Sequence, residues 1–405
     1  MWWAMDSDES VLLKSRLTST AIWLNARPAY LWLLALILAS LFRSGFVIWN
    51  WFELSPMLIT DWSSPGNAFQ SNVLFNAFGT LWSGIIGEPT DSLWLISQIV
   101  LTVAGLTWIT FLVYRHTSAD VGYLGAALVL STGISTVLWR EIGRYDVFFL
   151  VAVTIAMLTA SRRIWIPALL VAAVSAPEQS ILASLSLLAL TYIPHFQAWR
   201  QKAIWFIGLA VTAAVAVQIW FTLAGDAFTT RIGVSFQFLR GEEITVPSRF
   251  DVTQSPIQLI VEKFYQGFSN GPGLIWSYLG ALSLVLILVI LVLPKKWHML
   301  FLVSSVIIFP LLTTIFFGED PTRDLTIVAA PMLIVLVVAG SKIFAQLLEK
   351  TPAWSVVWLV WGAVAITILP TLYFFVQPEA PFDFAIHMLT SWNNGTPIDW
   401  SGNTR

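Results

Sequence analysis

Four short stretches of this sequence set ionisable residues against apolar ones, and chemistry would reside there. The first is Leu58-Ile59-Thr60-Asp61-Trp62-Ser63-Ser64-Pro65, whose single acid stands where a polar head group could meet it. A solvated loop acid or a helix N-cap is its plainer reading. The second, Arg140-Glu141-Ile142-Gly143-Arg144-Tyr145-Asp146, carries four charges flanked by apolar runs. Those charges either pair with one another and face water, or Arg140 and Arg144 hold a phosphate in the bidentate manner of guanidinium groups. The third is Ala176-Pro177-Glu178-Gln179. Pro177 must break a helix there, so Glu178 either caps the freed amides or lines a polar cavity. The fourth is Gly318-Glu319-Asp320-Pro321-Thr322-Arg323-Asp324. Pro321 suits a helix start, with Asp320 as its cap and Asp324 at the positive end of the dipole. Arg323 opposes that dipole and calls for a phosphate or carboxylate partner. Arg43, inside an apolar run, either snorkels outward or points into the same space.

Composition says what must surround these residues. Of 405 residues, 57% are hydrophobic and only 11% charged, with 21 basic and 23 acidic side chains. A soluble domain carries about 25% charge, and the mean hydropathy here is +0.77. A soluble enzyme, a nucleic-acid binder and a disordered scaffold are excluded. The absence of cysteine removes disulfides, thiolate metal sites and a cysteine nucleophile. His116, His195, His298 and His387 form no pair at ligand spacing, so no metal site and no cofactor is expected from them. The chain reads as an all-α polytopic membrane protein.

About 20 apolar residues cross the roughly 30 Å of hydrocarbon. Runs of that kind occupy 28–50, 92–114, 120–139, 145–161, 201–224, 272–294, 297–317, 325–345 and 353–376. The stretch 164–193 is apolar but divided at Pro177, and its two short arms predict a broken hairpin. This makes 10–11 segments in a single transmembrane domain over 28–376, after an amphipathic cytoplasmic segment at 1–27. The expected topology, N-terminus inside and C-terminus outside, puts twelve bases, among them Arg115, Arg162, Arg163, Lys202 and Lys295, on the inner face. Outer loops then span 51–91 and 226–270, with an outer tail at 377–405. Phe69, Val73, Ala77, Leu81 and Ile85 recur every four residues, which predicts an interfacial amphipathic helix at 68–86.

An outer loop with an acid, an interfacial helix after it, many spans and short inner loops together resemble the GT-C superfamily of polytopic glycosyltransferases, over residues 28–224 above all. The Gly318–Asp324 segment is also similar to a short Asp-x-Thr-Arg stretch of bacterial envelope-polysaccharide proteins. The Trp-Trp-Asp-Tyr-Gly signature of oligosaccharyltransferases is absent, and Asp61-Trp62-Ser63 lacks a second acid, which leaves a divalent metal requirement open. The resemblance implies transfer of a sugar from a polyprenyl-phosphate-linked donor to an envelope glycan or lipid, on the outer face of the cell membrane of a bacterium. In that reading Asp61 is the base that deprotonates the acceptor hydroxyl. Arg140, Glu141, Arg144, Glu178, Asp320 and Arg323 bind substrate, the arginines meeting the charge of the departing lipid phosphate. The partners are the lipid-linked donor and membrane lipid, with no nucleic acid. Oligomeric state stays open. A lipid-linked glycan polymerase or ligase, a transporter or flippase, and a non-catalytic subunit of a membrane complex are the alternatives. A transporter would need ionisable groups deep among its helices.

Overall fold

The computed structural model describes residues 29–44, 91–117, 121–140, 142, 146–224, 278–283, 296–316 and 321–348, with isolated positions 81, 85, 286 and 365. Over these residues the protein is helical and has no strand. The elements are α1 (Ala29–Ser44), α2 (Asp91–His116), α3 (Gly122–Ser131), α4 (Gly133–Arg140), α5 (Asp146–Leu158), α6 (Arg162–Ser175) and α7 (Pro177–Leu190). A 3₁₀ turn, Pro194–Trp199, leads into α8 (Arg200–Ala224). Then come α9 (Lys296–Val303), a π turn (Ser304–Ile308), α10 (Phe309–Phe316) and α11 (Pro321–Leu348).

Three stretches are long and apolar enough to cross a membrane: Ile96–His116, Pro194–Val217 and Arg323–Ser341. The bent pair α3–α4 is a fourth. Their surroundings differ. The Arg323–Ser341 stretch is buried throughout, and α11 packs against α3, α4, α5, α7 and α10. A helix that is apolar all round and wrapped by others forms the centre of a bundle. By contrast, Ile204, Trp205, Val211, Val215 and Ile219 of α8 lie exposed, as do Ile96, Val100, Trp108 and Phe111 of α2. Those faces have no protein cover among the described residues.

Two interruptions shape the bundle. The expected span at 120–139 is bent by 60° between α3 and α4. Ser131 and Thr132 there turn their hydroxyls back to the carbonyls of Leu128 and Val129, at 2.7 and 2.6 Å. Such back-bonding beside a glycine is a recognised cause of bending. Gly133 sits so close to α11 that a β-carbon would lie 2.1 Å from Thr326 Oγ1. Gly280 (φ +53°) meets the same bend from the other side, where a β-carbon would lie 1.7 Å from the Ser131 carbonyl oxygen. Only glycine accepts both that backbone and that approach.

The second interruption lies at Ala176, between α6 and α7. Pro177 occupies the first helical position of α7, so its missing N–H leaves no bond unmade. Each arm has 14 residues and rises about 21 Å at 1.5 Å per residue. The feet of the arms return to one end of the bundle. Arg162 Nη2 donates to Gln201 Oε1 at 3.2 Å, while Trp199 Nε1 and Lys202 Nζ donate to the Met157 carbonyl at 3.0 and 2.9 Å. The expected hairpin at 164–193 thus corresponds to α6 and α7, its apex inside the bundle.

Several expected segments lie outside the described residues: the N-terminal segment, the span at 353–376 except position 365, the loop at 226–270 and the tail at 377–405. Of the interfacial helix at 68–86, only Leu81 and Ile85 are described, both helical and exposed.

Candidate functional site

The first turns of three helices converge inside the bundle. Asp146 opens α5, Gln179 is the third residue of α7, and Arg323 and Asp324 lie in the first turn of α11. Arg323 Nε donates to Asp146 Oδ2 at 2.8 Å and its Nη2 to Asp146 Oδ1 at 2.7 Å. Nη1 reaches Asp324 Oδ1 at 3.4 Å, and Gln179 Nε2 donates to the same oxygen at 2.8 Å. Arg323 and Asp146 are 2% and 1% exposed.

The electrostatics explain why this junction holds. Each helix N-terminus carries roughly half a positive charge, so three of them favour the two carboxylates. Arg323 supplies a full positive charge and meets Asp146 along the edge that makes two parallel bonds. Burial of ions is expensive, and the two parallel bonds between Arg323 and Asp146 offset it here.

The pairing answers two expectations. Asp146 pairs with Arg323 rather than facing water; it belongs to the apolar run of α5 and is buried in it. The partner that Arg323 requires is a carboxylate of the protein itself, and the Nε–Nη2 edge suited to a phosphate is occupied by it. Sequence reasoning set Asp146 aside with its turn, assigned Asp324 to the helix dipole and passed over Gln179. The available signal was that both acids start apolar runs.

Of the other expected site residues, Asp61, Glu141, Arg144 and Asp320 lie outside the described residues. Arg140 ends α4 and Glu178 stands in the first turn of α7, though their side chains are not among those described. In sequence, most of them stand close to residues of the junction. Arg140, Glu141 and Arg144 come within six residues before Asp146, Glu178 adjoins Gln179, and Asp320 is three residues before Arg323. Among the described residues, no group of histidine, aspartate or glutamate could hold a metal ion.

Arg43, in the last turn of α1, lies apart from this junction in its bonding. Its Nη2 faces the Thr132 carbonyl at 3.2 Å, Ser135 Oγ at 3.3 Å and Thr136 Oγ1 at 3.1 Å. It neither snorkels out nor joins the Asp146 cluster; it fills the bend between α3 and α4. Compared with family models, curated proteins and solved structures, the chain matches none of them.

Proposed function

We propose that this chain is a polytopic membrane glycosyltransferase of GT-C type, moving a sugar from a polyprenyl-phosphate-linked donor to an envelope glycan or lipid acceptor. One observation carries the reading. The first turns of α5, α7 and α11 set Asp146, Gln179, Arg323 and Asp324 together inside an otherwise apolar bundle. Ionisable groups inside an apolar bundle are costly and mark functional sites by default. The uncovered apolar faces of α2 and α8 suit lipid contact.

In this mechanism Asp61 takes the proton of the acceptor hydroxyl. The oxygen attacks the anomeric carbon of the donor sugar, the carbon–oxygen bond to phosphate breaks, and its electron pair leaves with the lipid phosphate. Arg140 and Arg144 meet that charge. Arg323 acts as a positioning residue, through Asp146 and the helix starts it joins. The assay is transfer from radiolabelled polyprenyl-phosphate hexoses by the chain in proteoliposomes. Asp61→Asn should lower turnover at least about 10²-fold with donor still bound. Wild-type turnover in that variant overturns the base assignment.

The reading also carries an orientation, with the N-terminus cytoplasmic and the C-terminus outside. Ser401→Cys should label from outside intact cells; labelling only after permeabilisation reverses the topology. The transporter reading draws on a separate observation. Two apolar segments are interrupted, at Thr132 and Ala176, as in transporters whose broken helices surround a midplane site. Movement of labelled lipid-linked sugar between leaflets without sugar transfer would favour it.

A further inference from the structure

The end of the bundle opposite the junction is basic. Arg162 and Arg163 open α6, and Arg200 and Lys202 lie in the first turn of α8. A cation there opposes the helix dipole, and neither first turn contains an acid. Between Asp146 and Asp226 the sequence has one acid, Glu178, and it lies at the apex, the far end of the arms. Arg162 is tied to α8 by its bond to Gln201, and Lys202 reaches back to the carbonyls of Met157 and Thr159 at 2.9 and 2.8 Å. The four cations therefore share one patch. Lys202 is spent on those carbonyls, but the arginines are not. All three are exposed, and among the described residues none meets a carboxylate. Arg200 lies 5.1 Å over the Tyr192 ring, which offers it no oxygen acceptor.

An apolar track begins where this patch ends. At 3.6 residues per turn, Arg200, Ile204, Val211 and Val215 fall on one face of α8, and all four are exposed. Gly208 lies on the same side, with open space where a β-carbon would stand. From Arg200 to Val215 the face rises about 22 Å, more than the roughly 15 Å of hydrocarbon in one leaflet. Trp205 packs edge-on against Trp165, with ring centroids 6.4 Å apart, and stays exposed beside the arginines, the depth at which indoles meet head groups. A soluble anion would use only the arginines, and an uncharged lipid only the track. An amphiphile with an anionic head uses both.

We propose that the basic end of α6 and α8 binds the phosphate of an anionic phospholipid, with an acyl chain lying along the exposed face of α8. Binding here needs neither Asp61 nor turnover, so the inference stands apart from the transferase reading. The test is native mass spectrometry of the full chain in detergent, titrated with phosphatidylglycerol or with phosphatidylcholine of the same acyl length. The wild type should bind phosphatidylglycerol at least about tenfold more tightly. An arginine near a lipid phosphate contributes about 1 kcal/mol, which is about fivefold. Arg200→Gln should therefore weaken phosphatidylglycerol about fivefold and leave phosphatidylcholine unchanged. Arg115→Gln removes an exposed cation from the last turn of α2 instead, and should change either affinity less than about twofold. No preference in the wild type overturns the proposal, whatever the variants do. So does an equal loss in Arg115→Gln, which would make the effect one of diffuse charge. Displacement of the lipid by inorganic phosphate, but not by sodium chloride at equal ionic strength, would assign the patch to a soluble anion and overturn it too.

Discussion

Arg43 and Arg323 are both arginines at a helix end, both buried in the same bundle, and their surroundings could hardly differ more. Arg323 lies along a carboxylate with two bonds under 3 Å and has a second acid beside it. Arg43 faces one carbonyl and two hydroxyls, all beyond 3 Å, and keeps a bare Nε. The first charge is neutralised within the fold. The second, among the described residues, meets only neutral dipoles. A buried ion pair is a joint, and removing one member strands the other, whereas a buried ion held by neutral dipoles leaves no opposite charge behind when it is removed.

The difference can be broken by mutation. Arg323→Gln leaves Asp146 buried and uncompensated, and should cost about 3–5 kcal/mol. Reversible unfolding in mixed micelles measures it. The double variant Asp146→Asn with Arg323→Gln removes both charges and should recover most of that loss. A double variant no better than the single one would mean the pair is not the joint.

Gln179→Leu is a smaller test of the same junction. It deletes a hydrogen bond to an ionised carboxylate, worth about 1.5–3 kcal/mol, and should loosen the apex of α6 and α7. Hydrogen exchange at the first amides of α7 would report it. Unchanged protection there would separate the apex from α11.

The smallest effect belongs to Arg43→Gln in the same micelles. It forfeits contacts to neutral partners but also relieves a desolvated charge, so the net cost should stay near about 1 kcal/mol. A loss as large as that of Arg323→Gln would make Arg43 a structural joint after all, and the contrast between the two would vanish.

Much of the bundle could be read in one dimension. The break at Ala176-Pro177 lies where proline, lacking an N–H, must end one helix and can begin another. The helix starting at Pro321 with Asp324 in its first turn was likewise legible from local chemistry. The bend at Thr132 was not, because Ser-Thr-Gly is compatible with a continuous helix. Its geometry depends on Gly133 and Gly280 giving way to Thr326 and to the Ser131 carbonyl, which are distant in the chain.

Hydropathy and charge alone determined that this chain is helical and built of membrane-length apolar segments, because the period and length of apolar runs are local quantities. They also marked Arg323 as a cation in need of an anion, since its conflict with its own helix dipole is local too. Which anion it meets was decided by the tertiary structure, through the packing of α5 against α11 that joins Asp146 to Arg323 across 177 positions. Among the described residues, folding sets only neutral acceptors against Arg43. Whether a buried charge is paired with an opposite charge or held by dipoles depends on what lies within about 4 Å of it, and that distance is set by folding rather than by sequence neighbours.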